Sequence, residues 1–181
     1  EQAARVSAQD APGPVHTLAG LDAGYRDGGR RIRAAAVLMA WPGLALLDAQ
    51  VVERPVTFPY VPGLLSFREA PALLDALAAL ARVPDLVLCD GHGLAHPRRL
   101  GVATHVGLVS GLSTVGVAKT LLVGRHAPLP VTRASRAPIE HRGECIGQAV
   151  RTRAGVRPVF VSVGHRVSLE RAVAWVLDCA V

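Results

Sequence analysis

The chain has 181 residues, 50% of them hydrophobic and 19% charged, which gives enough apolar material for one sizeable core and excludes an extensively disordered chain. Its formal net charge of +6 favours a polyanionic partner, because basic side chains that neutralise phosphates release counterions. No apolar run reaches the roughly 18 residues of a membrane span, and Glu1-Gln2-Ala3-Ala4-Arg5 lacks the basic and apolar segments of a secretory signal, so a cytoplasmic protein with no membrane partner is expected.

In chain order, the first ~14 residues are polar and expected to be flexible. Val15 to Tyr25, Arg31 to Trp41 and Ala45 to Val56 read as apolar strands, separated by Asp27-Gly28-Gly29-Arg30 and Pro42-Gly43, so they form an antiparallel meander. Arg68 to Arg82 carries Leu73, Leu74, Leu77 and Leu80 at helical spacing, with Pro71 tolerated in its first turn. Pro84 leads into a strand from Asp85 to Cys89, followed by a helix from Pro97 to Val109 that ends at Gly111. Thr114 to Lys119 is a short strand, residues 122–153 read as a surface excursion rich in Pro, Arg and Gly, and Pro158 to Val163 is a final strand before a helix from Ser168 to Cys179. Three antiparallel strands followed by strand and helix in alternation give an α/β fold, a mixed sheet flanked by helices, in one domain covering 1–181.

The acids stand out against this pattern. Asp22 follows the apolar Leu18-Ala19-Gly20-Leu21, Asp90 ends Val87-Leu88-Cys89, and Glu69 ends Pro59-Tyr60-Val61-Pro62-Gly63-Leu64-Leu65-Ser66-Phe67-Arg68. Hard cations such as Mg²⁺ take oxygen ligands, keep several waters and are held by a few carboxylates plus substrate phosphates, so the three acids suggest a divalent-metal site. Taken singly, each also has a plain structural explanation, since Asp commonly opens a turn and Glu is favoured in a first helical turn. Active sites in open α/β sheets gather outside strand carboxyl ends, where Asp90 falls. Cys89, Cys145 and Cys179 form no C-x-x-C pair and no zinc pattern, so reduced thiols are expected.

Ala19-Gly20-Leu21-Asp22, the Pro59 to Glu69 segment, Asp90-Gly91-His92-Gly93, His96-Pro97-Arg98-Arg99-Leu100-Gly101, Gly116-Val117-Ala118-Lys119 and Val163-Gly164-His165-Arg166 together closely resemble endonuclease V. The resemblance implies a ribonuclease H-like fold and a Mg²⁺-dependent nuclease, with Mn²⁺ as a substitute ion. It also implies that the enzyme cuts the second phosphodiester 3′ to deoxyinosine and leaves 3′-hydroxyl and 5′-phosphate ends. Asp22, Asp90 and Glu69 are then the expected metal ligands, with Lys119 and His165 as further catalytic groups.

Tyr60 is the candidate wedge. Pro59 and Pro62 stiffen its loop, so the ring can fill the gap left when a damaged base leaves the stack. Gly63 and Leu65 are expected to line the pocket for that base, with Gly91, His96, Arg98 and Lys119 also on the DNA. Arg98 and Arg99 read most simply as phosphate contacts, and His92 as a loop-shaping group. The expected partner is deoxyinosine-containing DNA and the expected state a monomer. Inosine-specific RNA cleavage, another ribonuclease H-like structure-selective nuclease and a non-cleaving inosine-binding module are the alternatives. The family usually carries a Pro-containing segment after the last helix, and its absence is expected to weaken substrate grip or stability.

Overall fold

Along Arg31 to Ala40, buried Ile32, Ala34, Ala36 and Leu38 alternate with less buried neighbours, the period of a strand with one face on a core. The computed structural model describes residues 2–180, so Glu1 and Val181 lie outside the described residues. In it β1 (Thr17–Arg26), β2 (Arg31–Ala40) and β3 (Leu46–Pro55) form the expected antiparallel meander. A crossover through α1 (Leu65–Ala78) brings β4 (Leu86–Asp90) parallel to β1, and a second through α2 (Val102–Ser110) brings β5 (Ser113–Ala118) parallel to β4.

The remaining strands are β6 (Arg136–His141), β7 (Glu144–Val150) and β8 (Val159–His165), and the sheet order is β3-β2-β1-β4-β5-β8-β7-β6. The first two helices cover one face, where Ala70, Leu73 and Leu77 meet Ala19, Leu21, Ala34 and Leu38. On the other face α3 (Leu169–Cys179) sets Ala172, Val173 and Val176 over Leu18, Leu86, Val115 and Val161. The Ser168 hydroxyl caps this last helix by accepting from Arg171 N at 3.3 Å.

One carboxylate fixes the register of the central pair. Asp85 Oδ2 accepts from His16 N and Thr17 N at 2.9 Å and from the Thr17 hydroxyl at 3.0 Å. Leu18 is thereby set opposite Leu86, and Leu21 opposite Cys89.

Several expectations are corrected. The helix expected from Arg68 to Arg82 starts at Leu65 and stops at Ala78, so Pro71 sits in its interior and leaves the Phe67 carbonyl without its helical donor. The helix expected from Pro97 begins at Val102, because Arg99 takes a left-handed conformation (φ 54) that no helix can include. The stretch 122–153 is no surface excursion: within it β6 and β7 pair antiparallel and bury Ile139, Ile146 and Ala149 against Ala118 and Phe160. The first residues, expected to be flexible, are held by a hydrogen bond from Arg166 N to Ser7 O at 2.7 Å and one from Ser168 N to Asp10 Oδ1 at 2.7 Å. Cys89, Cys145 and Cys179 are free.

If the hairpin belongs to the core, Ile139→Ala should lower the unfolding free energy by about 2–4 kcal/mol. Val131→Ala, at a side chain 69% exposed in the same stretch, should change it by less than about 0.5 kcal/mol. Urea unfolding followed by circular dichroism checks this, and equal small effects would return the segment to the surface.

Candidate active site

The parallel register that pairs Leu21 with Cys89 carries one step further to Asp22 and Asp90, so the two carboxylates stand side by side where β4 ends. Asp90 in turn is opposite Val117, and the chain leaves β5 directly into Lys119. The Lys119 ammonium donates to Asp90 Oδ2, and the lysine side chain is otherwise 77% exposed. That hydrogen bond, reinforced by the charges of Asp90 and Asp22, raises the lysine pKa. Asp22 Oδ1 accepts from the amide of Ala23 at 2.8 Å, which fixes its rotamer.

Glu69 reaches the same place from α1. Burial is the main cause that pushes its carboxyl up to about 7; the charges of Asp22 and Asp90 push the same way, and Tyr25 and Arg68 oppose them. Among the described residues no three His, Cys, Asp or Glu side chains close around a point as an all-protein metal cage does. An open set of carboxylates, of which only Asp90 is paired with a cation, nevertheless fits a hard cation, which keeps waters and takes further oxygens from a phosphate. The ammonium of Lys119 on Asp90 marks where positive charge is already accommodated.

These acids line a cavity of about 420 Å³ together with Tyr60, Gly63, Leu65, Gly91, His92 and His96. Tyr60 is 68% exposed at the mouth. Its loop turns tightly, with Leu64 N donating to Val61 O at 2.9 Å and Gly63 at φ 76, a conformation glycine adopts without a Cβ clash. Across the cavity the 91–101 loop folds back on itself, and a Cβ at Gly101 would lie 2.1 Å from the His92 carbonyl oxygen.

Both cavity histidines have pKa values lowered by burial. The His92 Nε2 donates to the Thr120 carbonyl at 3.0 Å, and His96 Nδ1 accepts from Arg98 N at 3.2 Å. Arg98 is exposed beside the cavity, whereas Arg99 is not free for a phosphate as expected: it donates to the His96 carbonyl at 2.9 Å and to Glu144 Oε2 at 2.8 Å.

His165 is the misplaced expectation. Because β8 runs antiparallel to β5, His165 pairs with Thr114 at the start of β5, five residues before Lys119. Asp90 is level with Val117, three residues further along β5 and one strand beyond it, so at about 3.3 Å per residue and about 4.8 Å between strands the two backbones are on the order of 14 Å apart. Its Nδ1 accepts from Ser7 N at 3.2 Å, a structural role. Sequence reasoning missed Tyr25, which shares the α1 face of β1 with Leu21 and Ala23; the period of two was the available signal.

The family profile of endonuclease V matches residues 1–181. An endonuclease V of Roseiflexus castenholzii is 57% identical over 176 residues, 97% of this chain and 78% of the relative. One of Azotobacter vinelandii is 52% identical over 99% of this chain and 81% of the relative. Among solved structures, the endonuclease V of Streptomyces avermitilis superposes with a TM-score of 0.93 at 42% identity, covering 99% of this chain and 79% of that one. The catalytic domain of human endonuclease V gives 0.92 at 33% identity, covering 99% and 83%. The fold is therefore ribonuclease H-like. The Ciona intestinalis endonuclease V, solved with a 24mer DNA containing an inosine followed by a ribo-adenosine, shares the fold at 24% identity with a TM-score of 0.82, covering 98% of this chain and 84% of that one. Among the described residues no helix is long and apolar enough to cross a membrane.

The raised Glu69 pKa has a measurable sign. A carboxyl lifted from 4.5 to about 7 favours the folded state when protonated, so its contribution is present below pH 4.5 and is lost as pH rises through 7. In chelator, Glu69→Gln should therefore stabilise the protein at pH 8 by on the order of 1–2 kcal/mol and leave it unchanged near pH 4.5. Thermal melts at the two pH values test this, and a lower midpoint at pH 8 would refute it.

Proposed function

The chain belongs to the endonuclease V family of nucleases, and from that premise we propose that it is a metal-dependent repair enzyme acting on deoxyinosine in DNA. It cuts the second phosphodiester 3′ to the lesion and leaves a 3′-hydroxyl and a 5′-phosphate. The observation that carries this reading is that Asp22, Glu69 and Asp90 line the same cavity as the Tyr60 loop. A base-sized pocket and a cluster of carboxylates thus share one space. The inosine-containing DNA bound by the Ciona intestinalis relative supports the choice of substrate.

Asp22, Asp90 and Glu69 would hold Mg²⁺, with Mn²⁺ able to replace it, and the ion supplies charge neutralisation at the phosphate and a more acidic attacking water. Lys119 leaves Asp90 to contact a phosphate oxygen as a compact point charge. Tyr60 stacks in the space vacated by the lesion, where unpairing a damaged base costs least. Gly63, Leu65 and Gly91 line the pocket, with neutral His96 as a hydrogen-bonding group beside them. Arg98 contacts the flanking phosphate backbone, and the +6 charge speeds encounter with DNA.

The decisive assay offers matched strands carrying deoxyinosine, inosine in RNA, or adenine, with Mg²⁺, and reads the products on a sequencing gel. A cut one nucleotide beyond the lesion's own 3′ linkage, restricted to deoxyinosine, is expected. A preference for inosine in RNA would move the substrate, and equal cutting of undamaged branched DNA would replace the reading with a structure-selective nuclease. Asp90→Ala should reduce cleavage by at least on the order of 10²–10³-fold while leaving metal-free binding of the lesion duplex intact. Tyr60→Ala should weaken that binding by about 1–3 kcal/mol, the worth of one stacked ring.

A further inference from the structure

The loop that carries Tyr60 is held chiefly by rings. Val56 N donates to the Arg30 carbonyl at 2.8 Å before it, and Leu64 N donates to Val61 O at 2.9 Å near its end. Between them, among the described residues, no backbone-to-backbone hydrogen bond reaches Thr57, Phe58, Pro59 or Tyr60. Instead the half-buried Phe58 stacks on Phe67 of α1, with ring centroids 5.5 Å apart and planes inclined by 24°. Phe67 in turn meets the ring of His105 on α2 edge to face, at 4.8 Å and 64°. Arg68, the next residue of α1, holds its guanidinium carbon 5.8 Å from the Tyr60 ring centroid. His105 is buried and, among the described residues, its Nδ1 has no hydrogen-bond partner, so on that side the histidine joins the stack as a ring and not as a polar link.

We propose that Phe58 is the positioning residue of the wedge, and that the stack of Phe58, Phe67 and His105 holds the Tyr60 loop at a fixed distance from α2. Val102, the first residue of α2, lines the same cavity as Tyr60, and His105 follows it three residues later. The stack therefore joins two elements that both reach the base cavity, one through Phe58 and the other through His105. Offset and edge-to-face ring contacts are directional, so they resist sliding and tilting as an aliphatic contact does not. Pro59 carries that restraint forward, because its fixed φ leaves Tyr60 few ways to move while Phe58 stays stacked. Without the stack, Tyr60 has to be ordered when the damaged duplex binds, and that ordering is charged against lesion recognition alone.

This inference rests on the reading of Tyr60 as the lesion wedge, and the test separates the two. Affinities for a deoxyinosine duplex and for its undamaged counterpart are measured by fluorescence anisotropy in chelator, with folding checked by circular dichroism. Phe58→Leu should lower the preference for the lesion duplex about three- to tenfold, the worth of one aromatic pair, and leave undamaged-duplex binding within about twofold of wild type. Phe58→Tyr, which keeps the ring, should retain the preference. His105→Leu should reproduce the loss from the far end of the stack, and His105→Phe should not. In a Tyr60→Ala background Phe58→Leu should change the preference by less than about twofold, since no ring is left to position. Wild-type preference in folded Phe58→Leu, or an undiminished effect of that change in the Tyr60→Ala background, overturns the positioning role. A full loss in Phe58→Leu with none in His105→Leu overturns the tie to α2. A Tyr60→Ala protein that keeps the wild-type lesion preference overturns the wedge reading and this inference with it.

Discussion

The arrangement of the site depends on the clamp that Asp85 places on the amides of His16 and Thr17 and on the Thr17 hydroxyl. It fixes where β1 starts against β4, and each strand then advances in step until Asp22 meets Asp90. A slip of one residue would turn Asp22 to the α1 face, because successive side chains point to opposite sides of a sheet. One carboxylate at the amino end of the pair therefore decides where two others stand at the carboxyl end. At that end burial, and after it the like charges of Asp22 and Asp90, push the Glu69 carboxyl up to about 7. Apolar packing holds the acids together regardless: Ala70, Leu73 and Leu77 anchor the helix that carries Glu69.

Around this centre the backbone is fixed more tightly than the loop positions suggest. The 91–101 segment is pressed against its own carbonyls at Gly101 and clipped by Arg99 to the β6–β7 hairpin through Glu144. A basic residue that reads as a phosphate ligand is used instead to hold His96 and the exposed Arg98 in place. The hairpin is thus part of the support of the cavity wall, although none of its own side chains lines the cavity.

Much of this was legible in the residues. The meander, the α1 leucines, the place of Asp22 on β1 and that of Asp90 at the end of β4 follow from periodicity and turn chemistry alone. The β6–β7 pair was hidden because Pro138 lies inside β6 and short polar alternation resembles a loop. Missing that hairpin also hid the direction of β8, and with it the side of the sheet on which His165 emerges. Helix α2 looked longer than it is because nothing in Pro97-Arg98-Arg99 announces a left-handed residue at Arg99. Tyr25 was visible by alternation, but its meeting with Arg68 of α1 depends on how that helix crosses the sheet, which spacing does not encode.

The β1–β4 pairing also governs when the chain becomes dangerous to its substrate. Asp22 and Asp90 belong to strands joined only through two further strands and a whole helix, and they become neighbours when this parallel centre closes. Contacts so distant along a chain form late, after their loop-closure entropy has been overcome. A chain in which β1 has peeled from β4 therefore has these acids apart. Folding acts as the safety catch of a nuclease, released only once the acids stand together in the cavity they share with the Tyr60 loop.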